Sequence, residues 1–243
     1  MFSKKKYTLG ALVGMILVAG VIASLLNQPV VHYHPTHKML FPQANFTVVP
    51  LDDNQVLLVG GGVPDKYGEK DKTNRAAQIY NAKEDHFYPA GSMHYQRGGS
   101  SWYGFTATHL KDGRVLIVGG QDPVTHEWIK AVELFDPKDR KFHEVPSISL
   151  PITAHSSTLL PSGEVLIIDE TQGYIFNPKN QQLKKTPPLL IHQQNHSSVL
   201  LDKNRVLIVG SYSDYGESPP VAEYYDIQKN MFFKLSDTIT GKY

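Results

Sequence analysis

The sequence predicts an all-β fold of four similar units, each with four antiparallel strands, behind one apolar N-terminal helix. Two observations predict the units. An apolar strand-like run recurs roughly every fifty residues, and a strand ending in an aromatic residue and an Asn or Asp follows each copy. A third observation predicts the helix: Lys4, Lys5 and Lys6 precede the uncharged apolar run Tyr7–Leu26.

Residues 1–26 are predicted to form a signal-anchor or transmembrane helix. The apolar run is about 30 Å long as a helix, which is the thickness of the hydrocarbon core of a bilayer. The lysines are expected to stay cytoplasmic, which leaves the rest of the chain outside. Small residues at Val21 and Ala23 keep a second interpretation open, in which a signal peptide is cleaved after Ala23 and the protein is secreted.

Residues 27–44 are predicted to be a linker, because three prolines disfavour a helix there: Pro29, Pro35 and Pro42. Its closely spaced histidines are His32, His34 and His37. Neutral imidazole binds transition metals, but no carboxylate lies nearby in the sequence. The interpretation as a polar tether is therefore favoured, and no metal site or cofactor is predicted.

Each unit opens with a predicted β-hairpin. Its second strands are Val56–Gly61, Val115–Gly120, Val165–Glu170 and Val206–Ser211. Turn-forming pairs precede them, namely Asp53-Asn54, Asp112-Gly113, Ser162-Gly163 and Lys203-Asn204. The first strands are Phe46–Leu51, Phe105–Leu110, His155–Leu160 and His196–Leu201. Phe and His share the first position of these strands, Phe in units 1 and 2 and His in units 3 and 4, which predicts a packed structural position for His155 and His196.

The second half of each unit aligns equally well. Its third strands end in Ile79–Asn81, Leu134–Asp136, Ile175–Asn177 and Tyr224–Asp226. A large apolar residue follows each Asn or Asp at the same offset: Phe87, Phe142, Leu183 and Phe232. Asn and Asp bond their own backbone in turns, so each unit is predicted to contain four antiparallel strands, as in a propeller blade.

This pattern resembles a kelch β-propeller, and most closely the bacterial-type repeat of the galactose oxidase central domain. The resemblance rests on the glycine pairs Gly60-Gly61 and Gly119-Gly120, the strand Ala131–Asp136 and the bulky last-strand residues. It covers residues 45–235; Asp169-Glu170 replace the glycines in unit 3. The resemblance implies a bacterial periplasmic or cell-surface location. The repeats themselves number about four, which places predicted blades at 45–90, 91–149, 150–188 and 189–236, before a tail at 237–243.

The blade count is lower than is usual for kelch-like propellers. Three interpretations stay open: a closed four-blade ring, two chains that complete one object, and a shortened relative of a longer protein. Exposed blade faces invite association, so a homo-oligomer is a possible assembly. The glycine pairs are assigned a structural role, since no helix N-terminus or P-loop lysine follows them.

The predicted function is binding of a protein or a glycan through one loop face. That face collects the segments Val63–Arg75, Gly91–Gly104, Gln121–Lys130 and Ser211–Pro220. Aromatic residues and arginine are enriched in binding hot spots. The candidate ligand-binding residues are Tyr67, Tyr95, Arg97, Trp102, Tyr103, Trp128, Tyr212 and Tyr215.

An exported sugar-acting enzyme, of the mutarotase kind known among kelch propellers, is the alternative. Acid and basic groups for it are Arg97, Asp122, His126, Asp214 and Glu217, but no spacing singles out a pair and no catalytic residue is assigned. The absence of cysteine excludes the copper chemistry of galactose oxidase, which uses a Tyr cross-linked to Cys. A net charge of +1 gives no reason to expect a nucleic-acid partner.

Overall fold

The computed structural model describes residues 37–44, 46–63, 72–73, 75–97, 104–123, 125–150, 152, 154–211 and 221–235. The predicted N-terminal helix, most of the linker and the tail lie outside these ranges. The described residues form an all-β structure with eighteen strands. Within these ranges no helix is long and apolar enough to cross a membrane.

Four four-stranded antiparallel sheets, called blades 1 to 4, follow one another along the chain. Blade 1 consists of β1 (Thr47–Pro50), β2 (Gln55–Val59), β5 (Ala76–Asn81) and β6 (His86–Ser92), and the small hairpin of β3 (Gly62–Val63) and β4 (Lys72–Thr73) lies between β2 and β5 in the sequence. Blade 2 consists of β7 (Phe105–His109), β8 (Val115–Gly119), β9 (Ala131–Asp136) and β10 (Lys141–Ser149). Blade 3 consists of β11 (Ser156–Leu159), β12 (Val165–Ile168), β13 (Gln172–Asn177) and β14 (Gln182–Pro188). Blade 4 consists of β15 (Gln194–Leu200), β16 (Arg205–Ser211), β17 (Val221–Asp226) and β18 (Met231–Lys234). The predicted four-strand units are thereby confirmed.

The hydrophobic core lies between successive blades. Leu57 and Val59 of blade 1 share a cluster with Val115 and Ile117 of blade 2. The same arrangement repeats between blades 2 and 3 and between blades 3 and 4. Because successive residues of a strand point to opposite faces, the second strand of an inner blade is buried on both sides. This explains why the second strands are continuous apolar runs.

The side chains that hold the hairpin turns lie within the predicted pairs in blades 2 and 3 and one residue before them in blades 1 and 4. The Asp52 carboxylate accepts hydrogen bonds from the amides of Asn54 and Gln55 at 2.8 and 2.7 Å. After the third strands, Asn81, Asp136, Asn177 and Asp226 each accept a backbone amide from the turn that follows. These bonds satisfy backbone donors where the chain reverses.

The glycine pairs permit a close contact between blades. Gly60 and Gly119 have φ values of 71° and 67°, in the left-handed region. A Cβ atom on Gly60 would lie 2.6 Å from the Phe105 ring of the next blade. In blade 3 the Asp169 carboxylate replaces the glycine and accepts the amides of Thr171 and Gln172. The bend is therefore kept by a side-chain bond where the glycines are lost.

The two aligned histidines are packed structural residues, as the sequence predicted. Nε2 of His155 lies 3.1 Å from the Val118 carbonyl oxygen, and Nε2 of His196 lies 3.1 Å from that of Ile168. Each ring thus contacts the end of the second strand of the preceding blade. Burial lowers the pKa of His196 below the ordinary value of 6.5.

Candidate functional site

A cavity of about 580 Å³, here called the blade 2 cavity, lies beside the loop between β8 and β9. It is open to solvent and brings together three segments: the loop itself, the chain that leads into blade 2, and the last strand β10. Its lining residues are Tyr95, Asp122, Thr125, Glu127, Trp128, Ile129, Lys130, Ala131, Glu144, Pro146, Ile148 and Ser149. Two of the predicted ligand-binding residues, Tyr95 and Trp128, are therefore brought together.

The loop between β8 and β9 is held by its own hydrogen bonds. The Asp122 carboxylate accepts the Thr125 amide at 3.0 Å, and the Asp122 carbonyl accepts the His126 amide at 2.8 Å. His126 has a φ of 58°, which lets the chain reverse within this short loop. Trp128 forms an isolated β-bridge with Gln121, so its half-buried indole is carried by a fixed backbone.

A large bulge in β10 forms the opposite wall of the cavity. Glu144 pairs with Glu133, but the next pairing is Ser149 with Ala131, so most of the intervening β10 residues have no partner on β9. Pro146, which has no amide hydrogen to donate, lies in this bulge and is exposed. The bulge separates β10 from β9 and leaves the space that the cavity occupies.

Tyr95 connects the cavity wall to the core. Its hydroxyl donates a hydrogen bond of 2.8 Å to the Glu144 carboxylate, and the Arg97 guanidinium lies 5.6 Å from its ring centre. The hydrogen bond to Glu144 and burial raise the pKa of Tyr95 above 10. The ring is thereby fixed at the rim, with one face toward Arg97.

The charged groups around the cavity are mostly acidic. Asp122, Glu127 and Glu144 are carboxylates, and Lys130 is the cation among the lining residues. An acidic lining with aromatic side chains favours a ligand that carries a positive charge beside apolar surface.

Arg97 lies in the interior, in contrast to the other described candidates. Its side chain is fully buried, and Nε and Nη2 donate to the Glu133 carboxylate at 3.1 and 2.9 Å. The remaining donors bond the carbonyls of Gly119 and Ala131. The guanidinium is therefore occupied by the protein's own groups and is not part of the candidate surface.

Glu133 is a key residue that the sequence analysis missed. Besides binding Arg97, its carboxylate accepts the His94 amide at 2.8 Å. Gln78 in blade 1 and Glu223 in blade 4 occupy the same third-strand position and also bind the chain that leads into their blade. The sequence did contain a signal for this residue. In three of the four third strands, a Gln or Glu lies two residues before the aromatic residue that precedes the final Asn or Asp.

The other candidates fall outside the described residues: Tyr67, Trp102, Tyr103, Tyr212 and Tyr215. Asp214 and Glu217 of the enzyme alternative fall there too. Among the residues that the structure describes, no group of three or more His, Asp or Glu side chains has an arrangement suited to a metal ion. The described candidates for the ligand site are thus Tyr95 and Trp128.

Comparison with known families supports the interpretation of the repeats. Residues 104–149 match the family model of the Kelch motif. This segment forms blade 2 and lines its cavity, apart from Tyr95, which precedes it. No curated protein shows a significant match to the chain. The Kelch motif in blade 2 and the four four-stranded antiparallel sheets together fit a kelch-repeat β-propeller.

Proposed function

We propose that this chain is a protein-binding β-propeller module that holds a partner segment in the blade 2 cavity. The observation that carries the proposal is the placement of Tyr95 and Trp128 on two walls of one cavity beside blade 2, the blade that matches the Kelch motif. Kelch repeats commonly mediate protein interactions, and loops on a rigid β scaffold frequently carry binding residues.

The cavity favours an extended partner segment with a Lys or Arg side chain. The aromatic rings offer a flat apolar contact at low conformational cost, and Glu127 and Glu144 attract the cation. Charge complementarity of this kind contributes mainly to association rate and specificity. We therefore expect binding to weaken as the salt concentration rises.

The test is photocrosslinking from position 130, an exposed lining residue of the cavity, in the full-length chain with Trp128 retained, followed by mass spectrometry of the adduct. Tyr95→Ala is expected to abolish the adduct by removing one wall of the cavity. The matched control is Tyr88→Ala in blade 1. Like Tyr95, Tyr88 donates its hydroxyl to a glutamate and lies under an arginine, Arg140, at 5.3 Å.

The identity of the adduct separates the candidate ligands. A protein adduct that is lost in Tyr95→Ala and kept in Tyr88→Ala supports the proposal. A glycan adduct with the same pattern overturns the choice of a protein partner, because aromatic rings also stack on sugars. If Tyr95→Ala and Tyr88→Ala give the same amount of adduct, the partner binds at another surface. Catalysed sugar anomer interconversion that is lost in Asp122→Asn would instead favour the enzyme alternative.

We also propose that the module is held at a membrane, outside the cytoplasm. The support is the sequence of residues 1–26, with three lysines before a long uncharged apolar run. Protease added to intact cells or spheroplasts is expected to digest the propeller from outside. Protection of the propeller until the membrane is lysed would contradict this location, and release into the medium would show cleavage of the helix.

A further inference from the structure

Blade 4 has one apolar face that is exposed, here called the open face. It lies on the side away from blade 3 and comprises Val199, Leu201, Leu207, Val209, Tyr224 and Phe233. Val199, Leu201 and Val209 are 55%, 50% and 40% exposed. The Tyr224 and Phe233 rings stack with centroids 5.2 Å apart and extend the apolar surface toward β18.

The same repeat positions are buried in the other blades. Val209 corresponds to Val59, Val118 and Ile168, which are at most 1% exposed. Leu201 corresponds to Leu110 and Leu160, which are both 2% exposed, and to Leu51, which is partly buried. In each of those blades these residues are buried, wholly or in part, by the blade that follows in the sequence. The open face therefore has the composition of an interface between blades, but none of the described residues forms a blade that covers it, and surface of this kind marks an interaction site.

The complementary face of this chain, on blade 1, is partly covered. A following blade presents its alternate second-strand residues, such as Val165 and Ile167, to the blade before it. In blade 1 the corresponding face contains Leu58, which is buried. The segment 37–44 lies on that side, where Gln78 bonds Leu40, Phe41 and Gln43 at 3.0, 3.3 and 2.6 Å. Val48, which pairs with Leu58, is 52% exposed on the same face, so head-to-tail docking is an outcome that the test must separate.

We propose that a second copy of this chain docks on the open face, blade 4 against blade 4. Such an interface is isologous, so the assembly closes at a dimer and requires no second binding surface. The edge of the face carries both signs of charge, in the pairs Arg205–Asp202 and Lys229–Asp226. When two identical faces meet across a two-fold axis, the positive groups of one copy can therefore lie against the negative groups of the other. This surface is separate from the blade 2 cavity.

The chain contains no cysteine, which allows single-cysteine crosslinking in the full-length protein. Val199→Cys, Leu201→Cys and Val209→Cys are each treated with a short bismaleimide. The matched control is Val48→Cys, since Val48 is 52% exposed on the outer face of blade 1. A covalent dimer from at least one blade 4 position, and none from Val48→Cys, is expected.

Three results would overturn the proposal. Monomer at every position shows that no second copy docks. A dimer that forms only when Val199→Cys and Val48→Cys proteins are mixed shows head-to-tail docking. Crosslinking that appears only after residues 236–243 are deleted shows that the chain's own tail covers the face.

A second measurement does not depend on crosslinking geometry. Val209→Asp places a charge on the open face and is expected to weaken dimerisation at least about tenfold in light scattering. Val48→Asp serves as the control and is expected to leave the dimer unchanged. Equal dimerisation of the two variants would place the contact on another surface.

Discussion

Blades 2 and 4 hold the chain that leads into them by the same geometry but with different charges. In blade 2, Arg97 binds Glu133, and both side chains are fully buried. In blade 4, Gln193 occupies the place of Arg97 and donates to Glu223 at 2.8 Å. The difference extends to the first strand, where blade 2 has Phe105 and blade 4 has the titratable His196.

The comparison shows that hydrogen-bond geometry, and not charge, is the shared requirement at this position. Blade 1 supports this, because the neutral Gln43 bonds the carbonyls of Gly60 and Ala76, as Arg97 bonds those of Gly119 and Ala131. The charges change the energetics instead. Burial raises the pKa of Glu223, against hydrogen bonds from the Leu190 amide and Gln193. Burial also disfavours the charged form of Arg97 and lowers its pKa, whereas the neighbouring Glu133 carboxylate acts in the opposite direction and raises it.

The largest effect is expected from Arg97→Met. The substitution leaves the Glu133 carboxylate buried without its counter-charge, which typically costs about 3–5 kcal/mol. Equilibrium denaturation with urea measures the loss. Arg140→Met is the control, because Arg140 is exposed, and it is expected to change the free energy of unfolding by less than about 0.5 kcal/mol. Similar losses in the two variants would show that the buried pair has no special role.

The double variant Arg97→Met, Glu133→Leu is expected to lose less stability than Arg97→Met alone. Removing both charges removes the uncompensated carboxylate, and apolar replacements of buried ion pairs are frequently close to neutral. The His94 amide loses its acceptor, so some loss remains. A double variant less stable than either single variant would show that the carboxylate is needed for its bond to His94.

The repeat pattern alone was enough to predict the fold, because every unit carries the same local signals. The hairpin turns, the glycine pairs and the Asn or Asp at the end of the third strand each determine the backbone conformation of residues only a few positions away. The site was predicted only in part. Glu133 binds His94 and Arg97, which lie more than thirty residues earlier, and an isolated sequence contains no local signal for such a pairing. The cavity depends on the β10 bulge, of which Pro146 is the sole local indication.

The same substitution at Glu133 and Glu223 is expected to have opposite effects. Glu133→Gln leaves Arg97 without a counter-charge and destabilises the protein. Glu223→Gln removes a buried carboxylate. The new side-chain oxygen keeps the bond from the Leu190 amide, and the new Nε2 donates to Oε1 of Gln193 once the Gln193 amide rotates; this Oε1 has no hydrogen-bond partner among the described residues. We expect a gain of up to about 1 kcal/mol at pH 7.

The gain in Glu223→Gln should depend on pH in a defined direction. Because the pKa of Glu223 is raised in the folded state, the wild type loses stability as pH rises from 4.5 through the folded value. The difference between the variant and the wild type is therefore largest at neutral pH and closes toward pH 4. Thermal denaturation across this range measures it; a constant difference would mean that the carboxylate does not titrate differently in the folded state.

The smallest effect is expected from His196→Phe, which gives blade 4 the residue that blade 2 has at Phe105. The lowered pKa of His196 means that the unfolded chain takes up a proton near pH 6.5 before the folded one does. Wild-type stability should therefore fall as pH drops below 6.5, and His196→Phe should remove that part of the fall. His143→Phe is the control, since His143 is exposed on β10. Parallel pH curves for wild type and His196→Phe would show that the imidazolium is accommodated between the carbonyls of Gln193 and Ile168, so that the position tolerates a charge after all.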